Sequence, residues 1–177
     1  MRLLPVLAIS IASLTLVGCS TTTPEAIPTS SAVEQAPAFA SDEEALAAAQ
    51  AAYAEYLSVS DQIARDGGAN PERLKPYVTN DQFQLDQQNI AKFRDLGFHS
   101  EGVSTFDNFH VANSDVNTYS AYLCVDVSNS KLIDSSGNTV TPEGREDRWP
   151  LLVSFDFSNP GSVLIKGSET WAGKNFC

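Results

Sequence analysis

The side chains able to do chemistry are few. Three cysteines (Cys19, Cys124, Cys177) and two histidines (His99, His110) stand among 22 acidic and 11 basic residues. Asp107 and Asp126 are the candidate acids, and Asp126 lies on the Ser120-Tyr122-Cys124 face of its strand among apolar residues, where partial burial would make its carboxylate hold its proton more tightly. Asp126 is the better placed to withdraw a proton from a bound molecule. The competing reading, which the residues favour, has Asp126 ending a strand and hydrogen-bonding the turn at Ser128-Asn129-Ser130. His99 and His110 each follow a phenylalanine (Phe98, Phe109) and lack HxH or HExxH spacing, so no metal site is expected. There is no GxSxG, P-loop, GxGxxG or EF-hand pattern, so no cofactor is expected and a non-catalytic domain is preferred over an enzyme.

Cys19 has a different setting. It follows Leu16-Val17-Gly18 at the end of an apolar run that begins at Leu3, behind the single charge of Arg2. The run is shorter than the roughly 20 residues a membrane span needs, and its layout is that of a signal peptide. With a thiol at the cut and small Gly18 before it, the stretch resembles the lipobox of bacterial prolipoproteins. That resemblance implies diacylglyceryl transfer to the Cys19 sulfur, cleavage between Gly18 and Cys19, and palmitate-type acyl chains on the new N-terminus. It also implies a protein on the extracytoplasmic face of the cell membrane, held there by its lipid.

Residues 1–18 are therefore read as a lipoprotein signal peptide. Residues 19–40 are the lipidated cysteine and a disordered Ser/Thr/Pro/Ala linker, with no apolar periodicity and a reach of roughly 25 Å. Residues 41–177 are read as one domain, long enough for a real core. If Cys19 is acylated, Cys124 and Cys177 remain, an even number in an oxidising compartment. They are expected to pair across 53 residues, which constrains the unfolded chain by about 4 kcal/mol. A redox pair or thiolate metal site is the alternative, but neither a CxxC spacing nor a neighbouring histidine supports it. The net charge of −11 repels phosphate backbones, so no nucleic-acid partner is expected.

The elements that must position these residues follow from the patterning. Ser41 and Glu44 have capping-box spacing, and Leu46, Ala49, Tyr53, Leu57, Ser60 and Ile63 form one helical stripe ending at Gly67-Gly68. Tyr53 and Tyr56 could line a pocket, although core packing suits them better. Asn70-Pro71 predicts a short second helix through Leu74. Thr79 and Gln82 form a capping pair for a third, with Phe83, Ile90 and Phe93 near one face. Beyond Gly97 the period becomes two: Phe98–Val111, then Tyr119–Val127, the clearest strand. A hairpin-like excursion at 131–140, an exposed loop at 141–148, a strand from Trp149 to Phe157 and a last strand from Val163 to Trp171 complete the order. Trp149, Phe155, Phe157 and Trp171 are core by alternation; in a sharper reading one or two stack on a sugar or flat ligand at a pocket mouth.

Helices followed by consecutive strands predict an α+β domain in which N-terminal helices pack on a single curved antiparallel sheet. With the Ala48-to-Tyr56 pattern, the Tyr122-Leu-Cys124-Val-Asp126 strand and C-terminal Cys177, the chain resembles the nuclear-transport-factor-2-like superfamily of cone-shaped domains, and within it small secreted bacterial lipoproteins. The resemblance implies a ligand pocket at the open end of the cone. Some members are isomerases, dehydratases or cyclases, which would give Asp126 a catalytic role; others are binding or assembly modules. The expected partners are the membrane through Cys19, and a small molecule, a wall component or an envelope protein.

Overall fold

The computed structural model describes residues 39–114, 118–159 and 161–177. The signal peptide, the lipobox with Gly18 and Cys19, and almost all of the linker lie outside the described residues. The domain is α+β, as the patterning predicts. Helix α1 (Asp42–Arg65) and helix α2 (Asn80–Asp95) precede strands β1 (His99–Gly102), β2 (Thr105–Ser114), β3 (Thr118–Asp126), β4 (Ser130–Ile133), β5 (Arg148–Asp156) and β6 (Leu164–Thr170).

Helix α1 begins as its capping box requires. The Glu44 amide donates to Ser41 Oγ at 3.2 Å, and the Glu44 carboxylate accepts the Ala40 amide at 2.9 Å. The predicted second helix is only a 3₁₀ turn, Pro71–Leu74, and Asn70 does not cap it: its backbone is left-handed (φ 53°) and its side chain makes no cap bond. Thr79 does cap α2, accepting the Gln82 amide.

The single sheet expected from the strand order is instead two sheets. Strands β2-β3-β5-β6 form a four-stranded antiparallel sheet, while β1 and β4 pair separately. The division has a local cause. The segment between β3 and β5 is an excursion that turns back at Asp134–Asn138, so β4 meets β1 rather than extending the main sheet. Arg145 fastens this excursion by donating to the Val127 and Ser130 carbonyls at 2.8 and 3.1 Å. The predicted exposed loop at 141–148 thus contains a largely covered guanidinium that closes the turn.

The core lies between α1 and the inner face of the four-stranded sheet. Ala45, Ala49, Tyr53 and Ile63 from α1 meet Tyr119, Ala121 and Leu123 of β3, Val153 and Phe155 of β5, and Ile165 of β6, all buried. The period-two alternation puts those strand residues on one face. Tyr53 packs edge-on against Phe106 (4.9 Å between centroids), and Phe39 edge-on against Phe157 (4.8 Å). The chain entering α2 is tied to the sheet edge. The Thr79 amide donates to the Ile165 carbonyl, and the Ile165 amide to the Tyr77 carbonyl, each at 2.9 Å. The start of α2 is thereby registered on the sheet. No helix among the described residues is long and apolar enough to cross a membrane.

Phe155, fully buried at the centre of this layer, tests the packing. Phe155→Ala should lower unfolding free energy by about 3–5 kcal/mol in urea denaturation. Leu85→Ala, on an exposed position of α2, should change it by less than about 0.5 kcal/mol.

Candidate functional site

The acid singled out by the sequence, Asp126, ends β3 and is not poised for proton transfer. Its Oδ1 accepts the Ser128 amide at 2.9 Å and its Oδ2 accepts Arg148 Nη1 at 2.9 Å. Arg148 Nη2 in turn donates to both oxygens of Asp107, at 2.8 and 2.9 Å. The Ser128 hydrogen bonds, and then Arg148, hold the Asp126 carboxyl down to about 2. The expectation of a raised value is corrected: burial is outweighed by donors, and Arg148 occupies the Asp126 carboxylate while also bonding Asp107. The strand-ending reading holds. His99 lies on β1 in the small sheet, away from this cluster, and His110 on β2 is exposed.

Cys124 and Cys177 are joined by a disulfide, with 5.6 Å between Cα atoms. Cys124 lies on the outer face of β3, with Ser120, Tyr122 and Asp126, where a sheet residue would meet water; yet it is fully buried. The C-terminal segment covers it. That segment is held at both ends, since the Trp171 amide donates to the Pro150 carbonyl at 2.9 Å and Asn175 Nδ2 donates to the Glu146 carboxylate at 2.7 Å. A Cβ at Gly173 would overlap the Trp171 ring where it stands, so a larger residue at this bend would displace that ring.

This covering creates an aromatic shelf. The Tyr122 ring meets Trp171 edge-on at 5.0 Å and Phe176 edge-on at 5.9 Å, and the latter two remain 37% and 41% exposed. Between them is a concavity of about 390 Å³ that Asn108 and His110 complete. A bulge positions those two. On β2 the partners of Cys124 and Tyr122 are Asp107 and His110, so Asn108 and Phe109 together face Leu123. Asn108 takes a left-handed backbone (φ 52°) and its amide reaches the Cys124 sulfur at 3.6 Å. Phe109 meanwhile turns inward towards Phe106 and Phe155.

The four aromatic residues of the last strands therefore separate. Phe155 and Phe157 are core, Trp149 is half-buried beside it, and Trp171 belongs to the shelf. Tyr53 and Tyr56 separate likewise: Tyr53 is core, while Tyr56 lines a cleft between α1 and α2. Asn108 and Phe176 were not singled out by the sequence, and Tyr122 only as part of its strand motif. The available signals were an aromatic on the outer side of the clearest strand and one adjoining the terminal cysteine.

A third concavity, between α1 and the start of β2, has its charged groups engaged within the fold. Asp61 accepts the Ser104 amide and hydroxyl at 2.7 and 2.9 Å, and Arg65 donates to the Gly102 carbonyl at 3.1 Å. Those bonds fasten the β1–β2 turn to α1 and engage the two charged residues of the concavity.

No family model and no curated protein matches the chain. Among solved structures, it is similar to the intermembrane-space region of the chloroplast protein ARC6, with a TM-score of 0.53 and 12% identity over 71% of this chain and 95% of that one. The class defined is an α+β domain with a disulfide-stapled outer face; at that identity the likeness concerns the fold alone.

The lowered Asp126 value sets the sign of a pH effect. A carboxylate depressed in the folded state stabilises it above the unfolded value of about 3.9, and that contribution disappears as pH falls towards about 2. Denaturation curves taken from about pH 5 down to about pH 2 should show a shallower acid-side loss of stability for Asp126→Asn than for the parent chain.

Proposed function

We propose that the chain is a lipid-anchored extracytoplasmic binding protein, acylated at Cys19 after cleavage behind Gly18, whose domain holds a neutral sugar without transforming it. The anchor rests on the lipobox-like Leu16-Val17-Gly18-Cys19 stretch. The disulfide agrees with an oxidising compartment. The α+β class, with helices packed on an antiparallel sheet, is the part of the nuclear-transport-factor-2-like resemblance that supports this reading.

The binding reading is carried by the shelf of Tyr122, Trp171 and Phe176. Two partly exposed aromatic side chains held in place by a covalent staple offer apolar surface at low entropic cost. A sugar ring presents one C–H face to such surface and its hydroxyls at the rim, where the Asn108 amide and the His110 imidazole can hydrogen-bond them. The acidic surface disfavours anionic ligands at the same place. The pairing of Asp126 with Arg148 removes the acid on which the isomerase or cyclase alternative depended.

Binding of neutral oligosaccharides, including N-acetylglucosamine oligomers of the wall type, is followed by tryptophan fluorescence of the purified chain. Saturable quenching of the parent is expected, and in titration calorimetry, which does not depend on the removed indole, Trp171→Ala should bind about tenfold or more weaker, a truncation typical of a binding hot spot. Calorimetric affinity that Trp171→Ala leaves unchanged, or no binding across the series, would contradict a role for the shelf. Intact mass of protein from native membranes tests the anchor separately. The expected chain begins at an acylated Cys19 and gains the mass of two hydrogens on reduction.

A further inference from the structure

On the side of the domain where α1 meets α2, a carboxylate is buried with half of its hydrogen-bonding capacity unused. Asp86 of α2 is 9% exposed and faces a cleft of about 280 Å³. Its Oδ1 accepts from Gln82 Nε2 at 2.8 Å and from the Tyr56 hydroxyl at 3.5 Å. Among the described residues its Oδ2 has no hydrogen-bond partner, and neither has the buried Ser60 Oγ that lines the same cleft.

An ionised carboxylate taken out of water without a full set of donors is costly. Burial accordingly pushes the Asp86 carboxyl up, only partly countered by Gln82 and Tyr56. No lysine or arginine lines the cleft to offset the charge. Lys75 pairs with Glu72 and lies over the Phe83 ring, and Arg94 pairs with Asp95. The remaining walls are largely apolar, from Ile63, Leu74, Ile90 and Phe93. Gly68 shapes the cleft's end: at φ 80° it lets the chain leaving α1 approach Ile90 and Arg94 closely, where a Cβ would press on both.

We propose that this cleft binds a small organic cation, a primary ammonium carried on a hydrocarbon body, with Asp86 Oδ2 as its anchor. An ammonium has three donors and no acceptor, which suits a site offering Asp86 Oδ2, Ser60 Oγ and the Asn89 side chain as acceptors. The Tyr56 and Phe93 rings add quadrupole attraction for the cation, and the isoleucine and leucine walls take the hydrocarbon. The volume lies just below the roughly 300–1,000 Å³ of drug-sized pockets, so the ligand is fragment-sized. The net charge of −11 raises the local concentration of cations. This site is independent of the outer-face shelf and of the sugar reading.

The test uses the full chain at about pH 7, where alkylamines are protonated. Hexylamine, benzylamine and phenethylamine are titrated calorimetrically, with benzyl alcohol as the uncharged counterpart of benzylamine. At least one amine should bind saturably, and benzyl alcohol about tenfold or more weaker than benzylamine if that is the amine bound. Asp86→Asn should lower affinity for the bound amine about tenfold or more. Its circular dichroism should be unchanged, and it should keep sugar-induced quenching at Trp171 if the parent shows it. Ser60→Ala should cause a smaller loss, about threefold. Amine binding that survives Asp86→Asn undiminished would overturn the proposal, because the charge would then be met elsewhere. Failure of all three amines to bind the parent chain would overturn it too, leaving a water as the occupant of the Oδ2 position.

Discussion

The bond between Cys124 and Cys177 fixes the last residue of the chain to the middle of the sheet's outer face. A four-stranded sheet has two faces, and the helices here cover one of them. Without a second layer, Cys124 and Tyr122 would stand in water on a strand whose other side is fully buried. The bridge supplies that layer from a short tail with no regular structure, which could not order itself by burial alone. Trp171 and Phe176 are consequences of the same tether, since both are held against Tyr122 by a segment whose far end is covalently closed. The outer face therefore has aromatic surface that is fixed in place and still partly exposed.

Polar groups divide by whether the fold uses them up. Arg148 is shared by Asp107 and Asp126, Arg145 closes the turn after β3, and Asp61 holds the β1–β2 turn on α1. These are saturated arrangements, and they fasten strand ends and turns. Asp86 differs because its helix faces an apolar wall on one side and Tyr56 on the other, so only one of its oxygens is matched. Satisfied networks belong to the scaffold; the unmatched Asp86 oxygen beside an open cleft is the observation on which the cation proposal rests.

The helical half of the fold was legible because its signals are local. The Ser41–Glu44 box and the Ala49–Tyr53–Ile63 stripe need only neighbours within a few residues, and α1 follows them closely. Strand β3 was legible for the same reason, its alternation placing Ala121 and Leu123 inward. The disulfide followed from cysteine parity once Cys19 was set aside. What the sequence did not disclose depends on register. Arg148 reaches both acids only because Asp126 pairs with Arg148 and a bulge offsets β2, and neither fact can be read along one strand. The separate β1–β4 sheet is likewise a matter of long-range pairing. Asp86 could have been found: it sits three residues after Phe83, four before Ile90 and seven before Phe93, a carboxylate within an apolar stripe. Its proximity to Tyr56, thirty residues earlier, could not.

Ring-to-ring nuclear Overhauser contacts, recorded before and after reduction of the disulfide, test most directly whether the bridge creates the outer-face shelf. The expected result is loss of the Tyr122–Phe176 contact on reduction while the Tyr53–Phe106 contact in the core persists. Persistence of both contacts in the reduced chain would contradict the account, because the shelf would then be held by packing alone.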